Sequence, residues 1–202
     1  MRVLNKDIRN MLDNVHPNGY WLIPDKTYRF DKRLCNAIAE LAKSFNVVDI
    51  LDIGCGNGAY TMYLRKCGFF VDGYDGNPYT LDITNGECGV RDFSKPTDIR
   101  PRDLFLCLEV AEHIPADSED DFLHNLLAPK SPYIIVSWAV EGQGGLGHVN
   151  CRNNDYVIDK FWSYGYSLME KETKKLRKAS KISWFKNTIM VYERSGSSPD
   201  NM

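Results

Sequence analysis

An apolar run that breaks into alternate glycines constrains this chain more than any other part of it. Val47-Val48-Asp49-Ile50-Leu51-Asp52-Ile53 reads as a buried strand, and Gly54-Cys55-Gly56-Asn57-Gly58 as the turn that ends it. Glycine reaches positive φ cheaply and carries no side chain to hold a neighbour off, so the turn is expected to let a ligand lie against its backbone. A helix expected over 58–67 follows at once. Its free N–H groups and the strand-end Asp52 then face one ligand-sized gap. In open α/β sheets that gap, beyond the carboxyl ends of the strands, is the binding crevice.

The glycine spacing differs from G-x-G-x-x-G, and no Lys-Ser/Thr pair follows to complete a phosphate loop. The pattern Asp52-x-Gly54-x-Gly56-x-Gly58 instead resembles the first motif of class I S-adenosylmethionine-dependent methyltransferases. The next strand, Phe69-Phe70-Val71-Asp72-Gly73-Tyr74, ends in Asp75, and a third ends at Val90-Arg91-Asp92-Phe93. The resemblance runs on through Leu104 to Glu109, Tyr133 to Trp138 and Ser183 to Tyr192. It implies S-adenosylmethionine as cofactor, cradled by Asp52, Gly54, Cys55, Gly56 and Gly58. Asp75 beside Gly76 would take both ribose hydroxyls, and Asp92 would accept from the adenine amino group while Phe93 packs on the ring. Glu109 would lie at the same carboxyl edge. The implied fold is α/β and Rossmann-like, a mostly parallel seven-stranded sheet with an antiparallel last strand and N-terminal helices.

Strands are expected near 47–53, 69–74, 88–91, 104–109, 132–139, 166–170 and 183–192, with helices near 58–67, 118–127 and 153–164. This alternation means a mostly parallel sheet covered on both faces. Two helical patterns precede it, at 7–15 and 31–44, the second with Leu34, Ile38, Leu41 and Ala42 at helical spacing. The chain therefore divides into an N-terminal helical cap segment (1–45), a methyltransferase-like domain (46–193) and a disordered tail (194–202). Tyr20, Trp21, Tyr28 and Phe30 in the cap segment are expected chiefly to anchor a helix, with a pocket wall as the alternative.

With 202 residues and 43% hydrophobic content, the chain can bury one core. The six cysteines are scattered and never in C-x-x-C, which reads as reduced thiols and a cytoplasmic setting. No apolar run has the length of a membrane span. A net charge of −2 gives no general attraction for nucleic acid. The exception is 171–181, with six cations and one acid, expected to be a solvated connection or else a phosphate-contacting edge.

Glu109-Val110-Ala111-Glu112-His113 falls where the fourth strand ends. Positions three and four apart share one face of a helical turn, so Glu109, Glu112 and His113 can converge. His148, in the glycine-rich Gly144-Gly145-Leu146-Gly147-His148-Val149-Asn150, supplies a fourth ligand if that loop folds back. Two carboxylates and imidazole suit a hard-to-borderline divalent ion, magnesium or manganese. The set resembles the Glu-x-x-Glu-His plus distant His arrangement of small-RNA 2′-O-methyltransferases, and its first half resembles ubiquinone-pathway O-methyltransferases. Glu112 has an alternative reading as a helix-start acid, and His113 or His148 as a general base without metal.

These readings combine into an O-methyltransferase acting on vicinal hydroxyls of a sugar, such as a deoxyhexose like rhamnose or another glycan residue; the resemblance also implies a place as one module of a larger glycan-building protein. His113, His148 and Glu109 would carry the chemistry. The alternatives are a ribose 2′-O-methyltransferase for RNA ends, a phenolic acceptor, and a cofactor-binding scaffold without turnover.

Overall fold

The structure is a computed structural model that describes residues 14–24 and 28–195. Most of the expected helix over 7–15 lies outside the described residues, and its last two, Asn14 and Val15, form a turn and a bridge instead; of the expected tail (194–202), Arg194 belongs to the last strand and 196–202 lie outside the described residues.

The elements are α1 (Lys32–Ser44), β1 (Asp49–Ile53), α2 (Ala59–Lys66), β2 (Phe70–Asp75), α3 (Thr80–Ile83), β3 (Gly89–Val90), β4 (Leu104–Leu108), α4 (Glu119–Leu127), β5 (Tyr133–Ser137), α5 (Asn154–Ser163), β6 (Tyr166–Leu168), α6 (Glu170–Ala179), α7 (Phe185–Thr188) and β7 (Ile189–Arg194). One seven-stranded sheet runs β3-β2-β1-β4-β5-β7-β6. β1 pairs in parallel with both β2 and β4, so strand order reverses between β1 and β4. β7 lies antiparallel between β5 and β6, as expected. Reversal of strand order opens a crevice at the carboxyl ends of β1 and β4, which fixes where a ligand can enter.

Alternate residues of each strand feed two cores. Ile50, Leu104, Leu106, Ile135 and Val191 meet Leu34, Ile38, Leu41, Leu64 and Leu176 of α1, α2 and α6. Leu51, Ile53, Phe105, Ile134, Val136 and Met190 meet Phe122, Leu126, Val157 and Phe161 of α4 and α5 on the other face. Asp31 caps α1 by accepting from the Arg33 and Leu34 amides through Oδ1. Its Oδ2 accepts from Ser180 Oγ and the Lys181 and Ile182 amides, tying the α6–α7 link to α1. Burial pushes that carboxyl up, but these bonds outweigh it and hold Asp31 below its ordinary value.

Two expectations fail locally. The basic segment is a helix rather than a solvated connection, because Thr173 and Leu176 at i,i+3 give it a buried stripe. The last strand begins only at Ile189, since Phe185 and Thr188 are both buried from a single helical turn.

Candidate active site

The glycine turn closes over the end of β1 with Gly54, Gly56 and Gly58 at φ of 73°, 55° and 71°. The conformation accounts for the glycines, and so does packing within the chain. A Cβ on Gly54 would meet Val110 Cγ2 at 2.2 Å, and one on Gly56 would meet the Tyr28 ring at 2.5 Å. Val110 and Tyr28 thus occupy the side of Gly54 and Gly56 where a Cβ would point, while both glycines also line the cavity. Gly58 sits against Cys88 and Thr84, outside the cavity, at the left-handed N-cap of α2.

Beyond the turn lies a cavity of ≈ 530 Å³, within the range of small-molecule sites. Asp52, Gly54, Cys55, Gly56, Asp75, Gly76, Asp92, Phe93, Glu109, His113 and His148 all line it. Asp75 Oδ2 accepts from the Gly56 amide at 2.9 Å and Oδ1 from the Asn77 amide at 2.8 Å. Each oxygen keeps a second lone pair for a ligand hydroxyl. Asp52 accepts from Thr61 Oγ1 at 2.6 Å; burial, against that bond and with the neighbouring Asp75, pushes it up to about 7. Asp92 Oδ2 accepts from Asn18 Nδ2 at 2.6 Å, and Oδ1 from the Ser94 amide and hydroxyl.

The N-terminal segment walls this cavity. Val15 bridges to Trp21, His16 stacks on Tyr20 at 4.3 Å, and Gly19 passes so close that a Cβ would lie 2.0 Å from the His113 carbonyl oxygen. Tyr20, Trp21 and Tyr28 line the cavity. Only Phe30 fits the expected anchoring role, against Tyr60 and Tyr63.

β4 ends at Leu108, and Glu109 turns the chain at φ 57°. Two overlapping turns, His113 N–H to the Val110 carbonyl and Ile114 N–H to the Ala111 carbonyl, bring Glu112 and His113 to the sheet edge. Glu112 is wholly buried, and its carboxyl oxygens meet no donor other than the neighbouring Glu109 carboxyl, which stands within hydrogen-bonding reach. It stands well before α4, so the helix-start reading fails. The 140–153 loop folds back as expected, with Val149 and Asn150 donating their amides to the Glu112 carbonyl at 2.9 and 3.0 Å. His148 Nε2 then lies 4.0 Å from Glu112 Oε1.

His113 Nδ1 sits 3.1 Å from the Gly147 carbonyl oxygen and His148 Nδ1 3.1 Å from that of Gln143. Carbonyls only accept, so both Nδ1 atoms carry the proton and both Nε2 lone pairs are left to bind. Burial, with His148 opposite, lowers His113 to about 4, which keeps it neutral. Burial and the adjacent Glu109 hold the Glu112 carboxyl well above the usual range.

Ligand atoms of Glu112, His113 and His148 lie within 4.8 Å of one another. A small contraction would bring them onto one ion with bonds of about 2.0–2.2 Å. A buried carboxylate with no partner but a second carboxyl is costly, and a cation would satisfy it. The donor set therefore fits a divalent ion. Glu109 is not in this group of three. Its Oε1 accepts from Ser137 Oγ at 2.8 Å while its amide donates to the same hydroxyl, so it borders the cluster instead. Ser137 escaped the sequence reading, although its register opposite Leu108 at the end of β5 marks it. Asn18, Trp184 and Arg29, which also line the cavity, carry no local motif.

A methyltransferase-domain family model matches residues 25–143. No curated protein matches the chain by sequence. Among solved structures, magnesium protoporphyrin IX methyltransferase from Synechocystis PCC 6803 with bound SAM is similar at a TM-score of 0.62 and 14% identity, covering 96% of this chain and 100% of that one. The methyltransferase domain of bacterial CtHen1 is similar at 0.59 and 16%, covering 80% and 98%. The [4+2]-cyclase SpnF is similar at 0.58 and 14%, covering 93% and 91%.

Proposed function

The chain belongs to the methyltransferase-domain family, and we propose that it moves the methyl group of S-adenosylmethionine to one of two vicinal hydroxyls on a sugar ring. Glu112, His113 and His148 would hold a divalent ion. The observation that carries this reading is the Glu112 carboxyl, buried with no partner but the Glu109 carboxyl and clustered with the His113 and His148 rings. The fold alone would not carry it, since a cyclase shares it.

Two imidazoles beside a carboxylate favour manganese over magnesium, which prefers an all-oxygen shell. When bound, such an ion chelates vicinal hydroxyls and lowers their pKa. The chain's own residues do the rest. Asp75 accepts from the cofactor's ribose hydroxyls. If His113 and His148 hold the ion, Glu109, which lines the cavity beside that cluster, is the group placed to accept the hydroxyl proton. Burial raises its carboxyl, against the Ser137 hydrogen bond, which makes it a stronger base. Tyr20 and Trp21 offer aromatic surface to a sugar face.

The basic helix supports an RNA acceptor less than its composition suggests. Lys174 pairs with Glu170, Lys175 with Glu40, and Arg177 donates to the Ile189 carbonyl, so half of its cations are engaged within the chain. The test is methyl transfer from labelled S-adenosylmethionine, with manganese or with chelator, to rhamnose-like glycosides, RNA ends and catechols, read by mass spectrometry. Manganese-dependent methylation of the glycoside is expected. Transfer only to RNA ends would replace the acceptor, undiminished transfer in chelator would remove the metal, and no transfer to any acceptor would favour the scaffold.

A further inference from the structure

The His148 loop is costly to order. Residues 140–153 include Gly142, Gly144, Gly145 and Gly147, each with the conformational freedom that folding must remove. Something must hold His148 within reach of Glu112, and a single buried carboxylate on the first residue of α4 is the hub that does so. Glu119 is only 4% exposed. Its Oε2 accepts from Asn150 Nδ2 at 2.9 Å and from Arg152 Nε and Nη2 at 3.0 and 2.9 Å. Its Oε1 accepts from the Tyr156 hydroxyl in a short bond.

The remaining fastenings converge on the same short segment, through Val149, Asn150 and Arg152. Trp138 Nε1 donates to the Asn150 carbonyl at 2.6 Å, and the Arg152 amide donates to the Ala139 carbonyl at 3.0 Å. The Val149 amide reaches the Glu112 carbonyl from the residue next to His148. Glu119 thus acts two residues beyond the imidazole, through Asn150, and four beyond it, through Arg152. It touches neither the cavity nor the cluster.

We infer that Glu119 is a positioning residue for the metal site, clamping the 149–152 segment so that His148 Nε2 faces Glu112. This inference rests on the metal reading above. Without the carboxylate, the Asn150 amide, the Arg152 guanidinium and the Tyr156 hydroxyl lose a shared acceptor. The glycine-rich loop then regains its freedom, and the ion must order it on binding.

The experiment titrates Co(II) into the wild-type chain, Glu119→Ala and Glu119→Gln, following visible absorption and calorimetry. S-adenosylhomocysteine binding and thermal melting are measured in parallel. Wild type should take one Co(II) per chain. Glu119→Ala should bind it about 10- to 100-fold more weakly, the usual loss when an outer partner of a ligand is removed, with a changed absorption band. Glu119→Gln, which keeps a carbonyl acceptor, should fall between, and it carries the test if Glu119→Ala does not fold. Affinity for S-adenosylhomocysteine should hold in both. Unchanged Co(II) affinity and spectrum, even with a lower melting temperature, would make Glu119 merely structural and overturn the inference alone. Absence of Co(II) uptake by wild type would overturn both this and the metal reading.

Discussion

Replacing Glu112 with Gln should stabilise the chain when metal is absent and abolish its response to metal. The carboxylate is fully buried, with no partner but the Glu109 carboxyl beside it. Its folded pKa is raised, so its favourable contribution is complete below the unfolded value of about 4.3 and is lost as pH climbs toward the folded one. At pH 8 the metal-free wild type therefore carries a penalty that an amide lacks. An uncompensated buried charge costs about 3–5 kcal/mol, and an unpaired neutral amide about 1–3 kcal/mol. The difference, centred on about 2 kcal/mol, corresponds to roughly 4–8 °C in melting temperature for a domain of this size. Manganese at a hundred times its Kd should raise wild type by about 2.7 kcal/mol and leave Glu112→Gln unmoved. Thermal melts at pH 5 and pH 8, in chelator and in manganese, decide the matter. A variant that is less stable than wild type at pH 8 in chelator, or that still responds to manganese, refutes the reasoning.

Asp75→Ala should weaken S-adenosylmethionine binding about 10- to 100-fold, since the carboxylate both offers lone pairs to the ribose and holds the Gly56 amide; equal affinity by calorimetry would remove that role. Asp52, raised to about 7 by burial, ionises as pH rises from 6 to 8. Affinity for the cationic cofactor should rise over that window in wild type and stay flat in Asp52→Asn, and parallel slopes would discount Asp52.

What the sequence shows plainly is what short spans encode. The apolar run into alternate glycines places β1, its turn and α2, and strand-end acids place Asp75 and Asp92 in the cavity. Glu112 and His113 converge because the turns that join them are local. His148 joined them on residue type and loop glycines alone. Less legible is whatever depends on distant partners. Asn18 reaches Asp92 across 74 residues, and Ser137 meets Glu109 across 28. The pairing of Glu119 with Arg152 spans 33. Dense charge over 171–181 hid the two-residue stripe that makes it a helix, and the contact of Tyr28 with Gly56 needs a chain segment that no local pattern locates.

Gly54 shows what the turn is for. Its missing side chain admits Val110 Cγ2, so the turn from Glu109 to His113 lies directly against the glycine turn. A Cβ at 2.2 Å would have to retreat by about 1.2 Å to reach the 3.4 Å of ordinary contact, and the retreat would separate the proposed metal cluster from the methyl donor. Misplacement of about 1 Å costs roughly 10²-fold in rate. Gly54→Ala should therefore lower kcat by that order while Co(II) and S-adenosylhomocysteine still bind, each to its own half of the site. Strain at φ 73° would also weaken the variant, but strain predicts no remedy from the neighbour. Val110→Ala removes the obstructing methyl, so the double variant should recover much of the rate if spacing is the cause. If Val110→Ala restores nothing, the glycine serves backbone conformation alone, and the two turns do not set the distance between donor and acceptor.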